Sequence, residues 1–258
     1  MNNNNPYNPV NNWFIMESKI TTGSADLDLW LSGGYERGVV TLIYGPAGSG
    51  KSNFVSLASC YQARGSKVIF IDTEGSFSVE RMNQISKGFS EEILKNIVIL
   101  CPTNFEEQKK SFNRLNEELK LSQNIGLIVV DSITMLYRLE LAEARKKGLE
   151  YVQDINSALA SQMKVLYEVS RKKNIPVLVT SQVYSEFLSE EDWLAGKQAG
   201  VSLVGGDILK YWSKCIIEIE NKGGKRRALI KKHRSLPEGS LNFDIIGDGI
   251  RKRTGLWR

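Results

Sequence analysis

Gly45-Pro46-Ala47-Gly48-Ser49-Gly50-Lys51-Ser52 reads as G-x-x-x-x-G-K-[ST], the pattern of a phosphate-binding loop. An apolar run from Val39 to Tyr44 leads into it, and a helical segment from Lys51 to about Ala63 leads out. Glycines let backbone N–H groups turn inward and come close to phosphate oxygens. The helix that follows offers its N-terminus, with its partial positive charge, to the same anion. In this pattern Lys51 reaches the β- and γ-phosphates and the Ser52 hydroxyl ligates Mg²⁺. The loop, Gly45 to Ser52, thus predicts a bound nucleoside triphosphate with magnesium.

Outward from the loop, apolar strands alternate with helices. Val68 to Asp72, Ile97 to Cys101, Leu127 to Val130 and Val177 to Thr180 read as strands, the last preceded by Pro176. Ser24 caps a short helix from Ala25 to Leu31, stopped by Gly33-Gly34. Further helices are expected near Val79–Lys87, from Asn104 to about Leu121, and from about Leu141 to Lys173. Asn104 with Glu107 reads as a capping box. Five such strands predict an α/β fold with a mostly parallel, doubly wound sheet. Residues 214–220, 226–232 and 241–246 are closely spaced strands, expected to form a C-terminal antiparallel extension.

Two strands end in an aspartate, Asp72 and Asp131, where ligands of open α/β sheets gather. Either suits a magnesium held through water. Asp72-Thr73-Glu74-Gly75 matches the D-x-x-G of GTPases, but Asn221-Lys222-Gly223-Gly224 lacks the aspartate of a guanine-reading N-K-x-D. The rival assignment gives Asp131 to the metal and Glu74 to the attacking water. Gln182, at the end of the Val177 strand, is an uncharged amide suited to sensing the γ-phosphate.

Together these residues resemble the RecA family of recombinases. Ile20-Thr21-Thr22-Gly23-Ser24-Ala25-Asp26-Leu27-Asp28 is similar to the family's lead-in to its ATPase core. Ile71-Asp72-Thr73-Glu74-Gly75-Ser76-Phe77 with Glu80-Arg81, and Asp131-Ser132-Ile133-Thr134-Met135-Leu136-Tyr137-Arg138, resemble its archaeal and eukaryotic signatures. The residues before Ile20 leave no room for the helix-hairpin-helix domain of full archaeal recombinases, so none is expected there, and Tyr184 to Val204 is short and acidic at Ser189-Glu190-Glu191-Asp192. With Lys232-His233-Arg234-Ser235, this looks like the core-only archaeal RadB family. The resemblance implies a RecA-like core over residues 16–250 that takes ATP and Mg²⁺ at its Walker A loop. It implies weak hydrolysis, DNA binding, and a supporting part in DNA repair and recombination without strand exchange. Lys51 and Ser52 then match the phosphate and magnesium contacts, Asp131 the metal-site aspartate, Glu74 the water-activating base and Gln182 the sensor. Lys232 and Arg234 match a basic pair that reaches the γ-phosphate of a neighbouring subunit, which makes a homo-oligomer one expectation. Two residues apart on a strand, both would point the same way.

Composition sets the remaining limits. An apolar fraction of 41% with 24% charged residues suits a globular protein, and no apolar run nears the roughly 18 residues needed to span a bilayer. Cys60, Cys101 and Cys215 have apolar neighbours and are expected as buried free thiols, in keeping with a reducing cytoplasm. Residues 1–15, Asn-rich with Pro6 and Pro9, are expected to be a disordered extension, with Met16 a candidate start. From Lys222 to Arg258, eleven Lys and Arg face three Asp and Glu, a surplus of +8 in a chain of net charge +5. That surplus, including a basic tail over residues 251–258, fits contact with a polyanion. Candidate DNA contacts are Arg138, Arg145, Lys146 and Lys147, with Tyr137 as a stacking ring, and Lys225, Arg226, Arg227, Arg251, Lys252 and Arg253. Binding is expected to be indifferent to base sequence, to favour single-stranded or branched DNA, and to fall with salt. Protein partners are expected to be the main recombinase or junction-processing proteins. Two other readings stay open: a KaiC-like signalling ATPase without DNA, and an ATP-switched module that binds a recombination partner.

Overall fold

Apolar runs that alternate between two cores build the sheet. The computed structural model describes residues 18–88, 90–185 and 201–254. In chain order the elements are β1 (Lys19–Ile20), α1 (Ala25–Trp30), β2 (Tyr35–Glu36), β3 (Val40–Gly45), α2 (Lys51–Gln62), β4 (Lys67–Asp72), α3 (Val79–Ser86), α4 (Ser90–Lys95), β5 (Ile97–Leu100) and α5 (Phe105–Leu121). There follow β6 (Ile125–Asp131), α6 (Met135–Lys147), α7 (Leu149–Lys173), β7 (Val177–Ser185), β8 (Val201–Leu203), α8 (Gly206–Trp212), β9 (Cys215–Lys222), β10 (Lys225–Lys232), β11 (Gly239–Ile246) and β12 (Gly249–Lys252). The strands line up as β12-β11-β10-β9-β3-β7-β6-β4-β5, with β8 added antiparallel to β7.

Successive strand residues go to opposite faces. On β4, Val68 and Phe70 enter one core while Ile69 and Ile71 enter the other. β6 repeats the pattern with Leu127 and Val129 against Ile128 and Val130. Helices α2 and α3 cover the first face, and α5, α6 and α7 the second. Both faces are therefore buried, which is why the central strands read as unbroken apolar runs. The fold is α/β, with a mostly parallel sheet and antiparallel C-terminal strands, as the sequence leads one to expect.

The structure departs from the sequence reading in several places. β9, expected in the antiparallel extension, pairs parallel with β3, so the extension begins only at β10. The helical run from 141 to 173 begins earlier, at Met135, and breaks at Gly148, whose φ of 127° suits glycine and separates α6 from α7. Asn104 accepts the Glu107 N–H at 2.9 Å as a cap should. The Glu107 carboxylate, however, takes the Thr103 N–H and hydroxyl at 2.7 and 2.8 Å, one residue before the cap. Cys60 and Cys215 are buried, but Cys101 is exposed, because β5 is the edge of the sheet. Arg251 and Lys252 are not a free tail: they complete β12, and Arg253 grips Asp244. The Asn-rich extension and the acidic 189–192 stretch lie outside the described residues.

Candidate functional site

Three strand ends meet at the phosphate loop. β3 pairs with β7 so that Gly45 stands opposite Gln182, and β4 pairs with β6 so that Asp72 stands opposite Asp131. β3 runs into the loop at Gly45, where a Cβ would sit 2.2 Å from the Ile219 carbonyl oxygen of β9. Glycine is needed there for close approach, whereas at Gly50 a φ of 112° requires it. Gly48, with φ 69°, has nothing within 4 Å of where its Cβ would be, so that side of the loop is open. Helix α2 then starts at Lys51 and aims its N-terminus at the loop.

The Lys51 amine donates to the carbonyl oxygens of Gly45 and Pro46, each at 3.0 Å. Burial lowers its pKa, and the nearby charges of Glu74 and Asp131 oppose that drop. The Ser49 hydroxyl is buried in the loop without a partner. Open backbone at Gly48, an orphaned hydroxyl and a buried amine fit an anionic ligand with many oxygens.

Asp131 is fully buried, and hydroxyls hold both its carboxylate oxygens. Ser76 donates to one at 2.7 Å, and Thr180 of β7 donates to the other. Asp72 has a different task. It accepts the backbone N–H groups of Ser76 at 3.0 Å and Phe77 at 2.9 Å, closing the turn that carries Glu74. Asp72 thus serves this turn through backbone N–H groups, whereas Asp131 accepts from side-chain hydroxyls. Glu74 accepts from the Gln182 amide at 2.8 Å. Its pKa is raised, first by burial and then by the charge of Asp131; the Gln182 bond and Lys51 pull it back.

Lys51, Asp131, Glu74 and Gln182 thus converge, as the sequence suggested. Lys232 and Arg234 do not join them. β10 runs antiparallel to β9, so Lys232 lies beside Ile216, at the end of the sheet away from the loop. The Lys232 amine donates to the carbonyls of Lys210 at 3.1 Å and Ser213 at 2.9 Å, at the C-terminal end of α8. Arg234 lies past the end of β10 and pairs with Glu36 at 3.0 Å. A bulge between Ile230 and Lys232 ends the regular alternation, so the argument that both side chains share one direction does not hold.

A cleft of about 790 Å³ adjoins the site, lined by Arg138, Arg145, Gln182, Tyr184, Leu203 and Gly205 among others. Tyr137 is unfit for base stacking: it is buried against Phe105, and its hydroxyl donates to Asn156 at 2.7 Å. The exposed ring in the cleft is Tyr184. Lys146 pairs with Glu143 at 2.7 Å and Lys147 lies over the Tyr151 ring, and neither lines the cleft. Arg227 donates to Ser240 on β11 at 3.1 Å.

The family model described as Rad51 matches residues 16–253. The DNA repair and recombination protein RadB of Methanosphaera stadtmanae is 39% identical over 241 residues, covering 92% of this chain and 97% of that protein. The chain belongs to the RadB group of the Rad51 family. A RadB from Methanococcoides burtonii is 39% identical over 240 residues, 92% of this chain and 99% of its own. A crystal structure of the RadB recombinase superposes with a TM-score of 0.71 at 34% identity, covering 91% of this chain and 99% of that one. The RadB frame spans both the loop and the antiparallel strands that lean on it.

Sequence reading missed Ser76 and Thr180 as the hydroxyls on Asp131. Their only signal was position: Ser76 lies four residues after Asp72, and Thr180 two before Gln182 on the same strand face. No helix among the described residues is long and apolar enough to cross a membrane.

Proposed function

We propose that this RadB-family chain is a DNA-associated ATPase that turns over slowly and supports DNA repair and recombination without exchanging strands itself. The convergence of Lys51, Asp131, Glu74 and Gln182 on the loop from Gly45 to Ser52 carries the reading. Loop N–H groups and Lys51 would hold the β- and γ-phosphates. Ser52 and, through water, Asp131 would hold Mg²⁺, which when bound neutralises charge on the phosphate oxygens. Glu74 takes the proton of the attacking water, and the Gln182 amide fixes the carboxylate that does so.

Slow turnover follows from what the isolated chain places at the γ-phosphate. Of the three cations expected at the γ-phosphate, Lys51, Lys232 and Arg234, Lys51 alone is there. Lys232 and Arg234 sit at the far end of the sheet and hold partners of their own. Any contact they make with nucleotide is therefore in trans. A missing arginine finger costs about 10³–10⁵ in rate. Arg138, Arg145 and the exposed ring of Tyr184 suit a single strand, the guanidiniums taking phosphates and the ring a base.

The test is ATP turnover measured with and without single-stranded DNA, with DNA affinity followed from about 50 to 200 mM salt. The expected result is a slow rate that DNA raises, and an affinity that falls at least about tenfold across that range. A rate indifferent to DNA, together with salt-independent binding, would point to a signalling ATPase instead. Homologous pairing by the pure protein would refute the absence of strand exchange.

A further inference from the structure

Arg226, on β10, stands beside the phosphate loop with its buried Nε unpartnered. Its cross-strand neighbours fix where it faces. On one side is Asn221 of β9, whose amide donates to the Gly48 carbonyl of the loop at 3.3 Å. On the other is Phe243 of β11, which packs edge-on against Phe54 of α2 with ring centroids 5.2 Å apart. Cross-strand partners share a sheet face. Arg226 therefore points from the sheet toward the first turn of α2. A Cβ built on Gly50, the residue just before that helix, would lie 3.9 Å from Arg226 Cδ.

The Arg226 Nε is buried and has no hydrogen-bond partner. The Arg253 hydrogen bonds hold the Asp244 carboxyl below its usual range, and the Arg226 charge adds only a smaller contribution to it. Arg226 is thus a cation set beside the positive end of a twelve-residue helix. Leaving a buried charged donor unpaired is costly, and like charges at a helix N-terminus add to that cost. An anion in the loop removes both penalties at once.

We propose that Arg226 is a further nucleotide-binding residue, contributing from the same subunit a second side-chain cation to the polyphosphate chain in the Gly45–Ser52 loop. This rests on the loop being an ATP site. It also gives the antiparallel extension a task in binding, since β10 is the strand that delivers the charge. The ligand is recognised as a polyphosphate, so the contact is indifferent to the base.

The test uses the full chain with Arg226→Gln and Arg226→Lys. Fluorescent ATP analogue binding is measured, with unlabelled ATP and adenosine as competitors, and the melting temperature is read without nucleotide. For Arg226→Gln the dissociation constant for ATP is expected to rise about tenfold, the loss of one charge-assisted bond. Adenosine affinity should stay unchanged, and Arg226→Lys should recover part of the loss. The nucleotide-free melting temperature should hold or rise, because a buried charged donor without a partner has gone. Unchanged ATP affinity in Arg226→Gln overturns the proposal. So does an equal loss for ATP and adenosine, or a lowered nucleotide-free melting temperature, either of which makes Arg226 structural. If the unsubstituted chain fails to bind ATP, the ATP-site reading itself falls, a result distinguishable from failure at Arg226.

Discussion

Glu74 ionises under opposed influences: burial and the Asp131 charge favour its neutral form, while the Gln182 amide and Lys51 favour the carboxylate. The net direction is upward, so the acid limb of ATP turnover should lie above the ordinary glutamate range. Gln182 donates to the charged form. Removing that donor with Gln182→Leu should therefore push the Glu74 pKa higher still. The acid limb of the pH–rate profile should move to higher pH and the rate at neutral pH should fall; a limb that stays put or moves down would contradict this. Glu74, Asp131 and Gln182 were legible in the sequence because each is a polar residue at, or just past, the end of an apolar strand. Ser76 and Thr180 were not. A hydroxyl in a turn or on a strand has many partners open to it, and only the parallel pairing of β6, β7 and β4 brings these two to one carboxylate. Tyr137 was not legible for a similar reason: its place six residues past Asp131 says nothing about which face of α6 is buried.

Secondary-structure elements meet at the loop through backbone as much as through side chains. Gly45 faces the Ile219 carbonyl, and the obstructing atom is main chain on a central strand. It has no room to yield. Gly45→Ala should cost about 1–3 kcal/mol of stability by overpacking. Gly48→Ala meets open space and bears only the positive-φ penalty, on the order of 1 kcal/mol. Urea unfolding of the two variants checks the ordering, and a Gly48→Ala chain weaker than Gly45→Ala would break it. Strands and most helices could be placed from periodicity and caps. The direction of β9 could not, since a strand that follows α8 reads alike whether it enters the sheet parallel or antiparallel. Its parallel pairing with β3 carries Asn221 and the β10 hairpin to the loop end of the sheet, and Lys232 to the other end.

At the scale of the molecule, that polarity separates two sets of cations. Lys51 and Arg226 stand by the loop, while Lys232 and Arg234 stand at the opposite end, bound to α8 carbonyls and to Glu36. A single chain can bring only the first set to its own nucleotide. The resemblance to a family with trans contacts was visible in the sequence, but the distance between the two ends was not, because strand order is a property of the folded sheet. The surplus of +8 after Lys222 is likewise not one patch: Arg226 faces α2, Arg227 bonds Ser240, and Arg253 is paired with Asp244. On the proposed function, the four converging side chains form a hydrolytic ATP site with Glu74 as its base. ATP binding and single-stranded-DNA-stimulated turnover of Glu74→Gln, measured beside the unsubstituted chain, test it most directly. Glu74→Gln should keep ATP affinity within a few-fold and lower turnover by about 10²–10⁴. Turnover equal to that of the unsubstituted chain would contradict it.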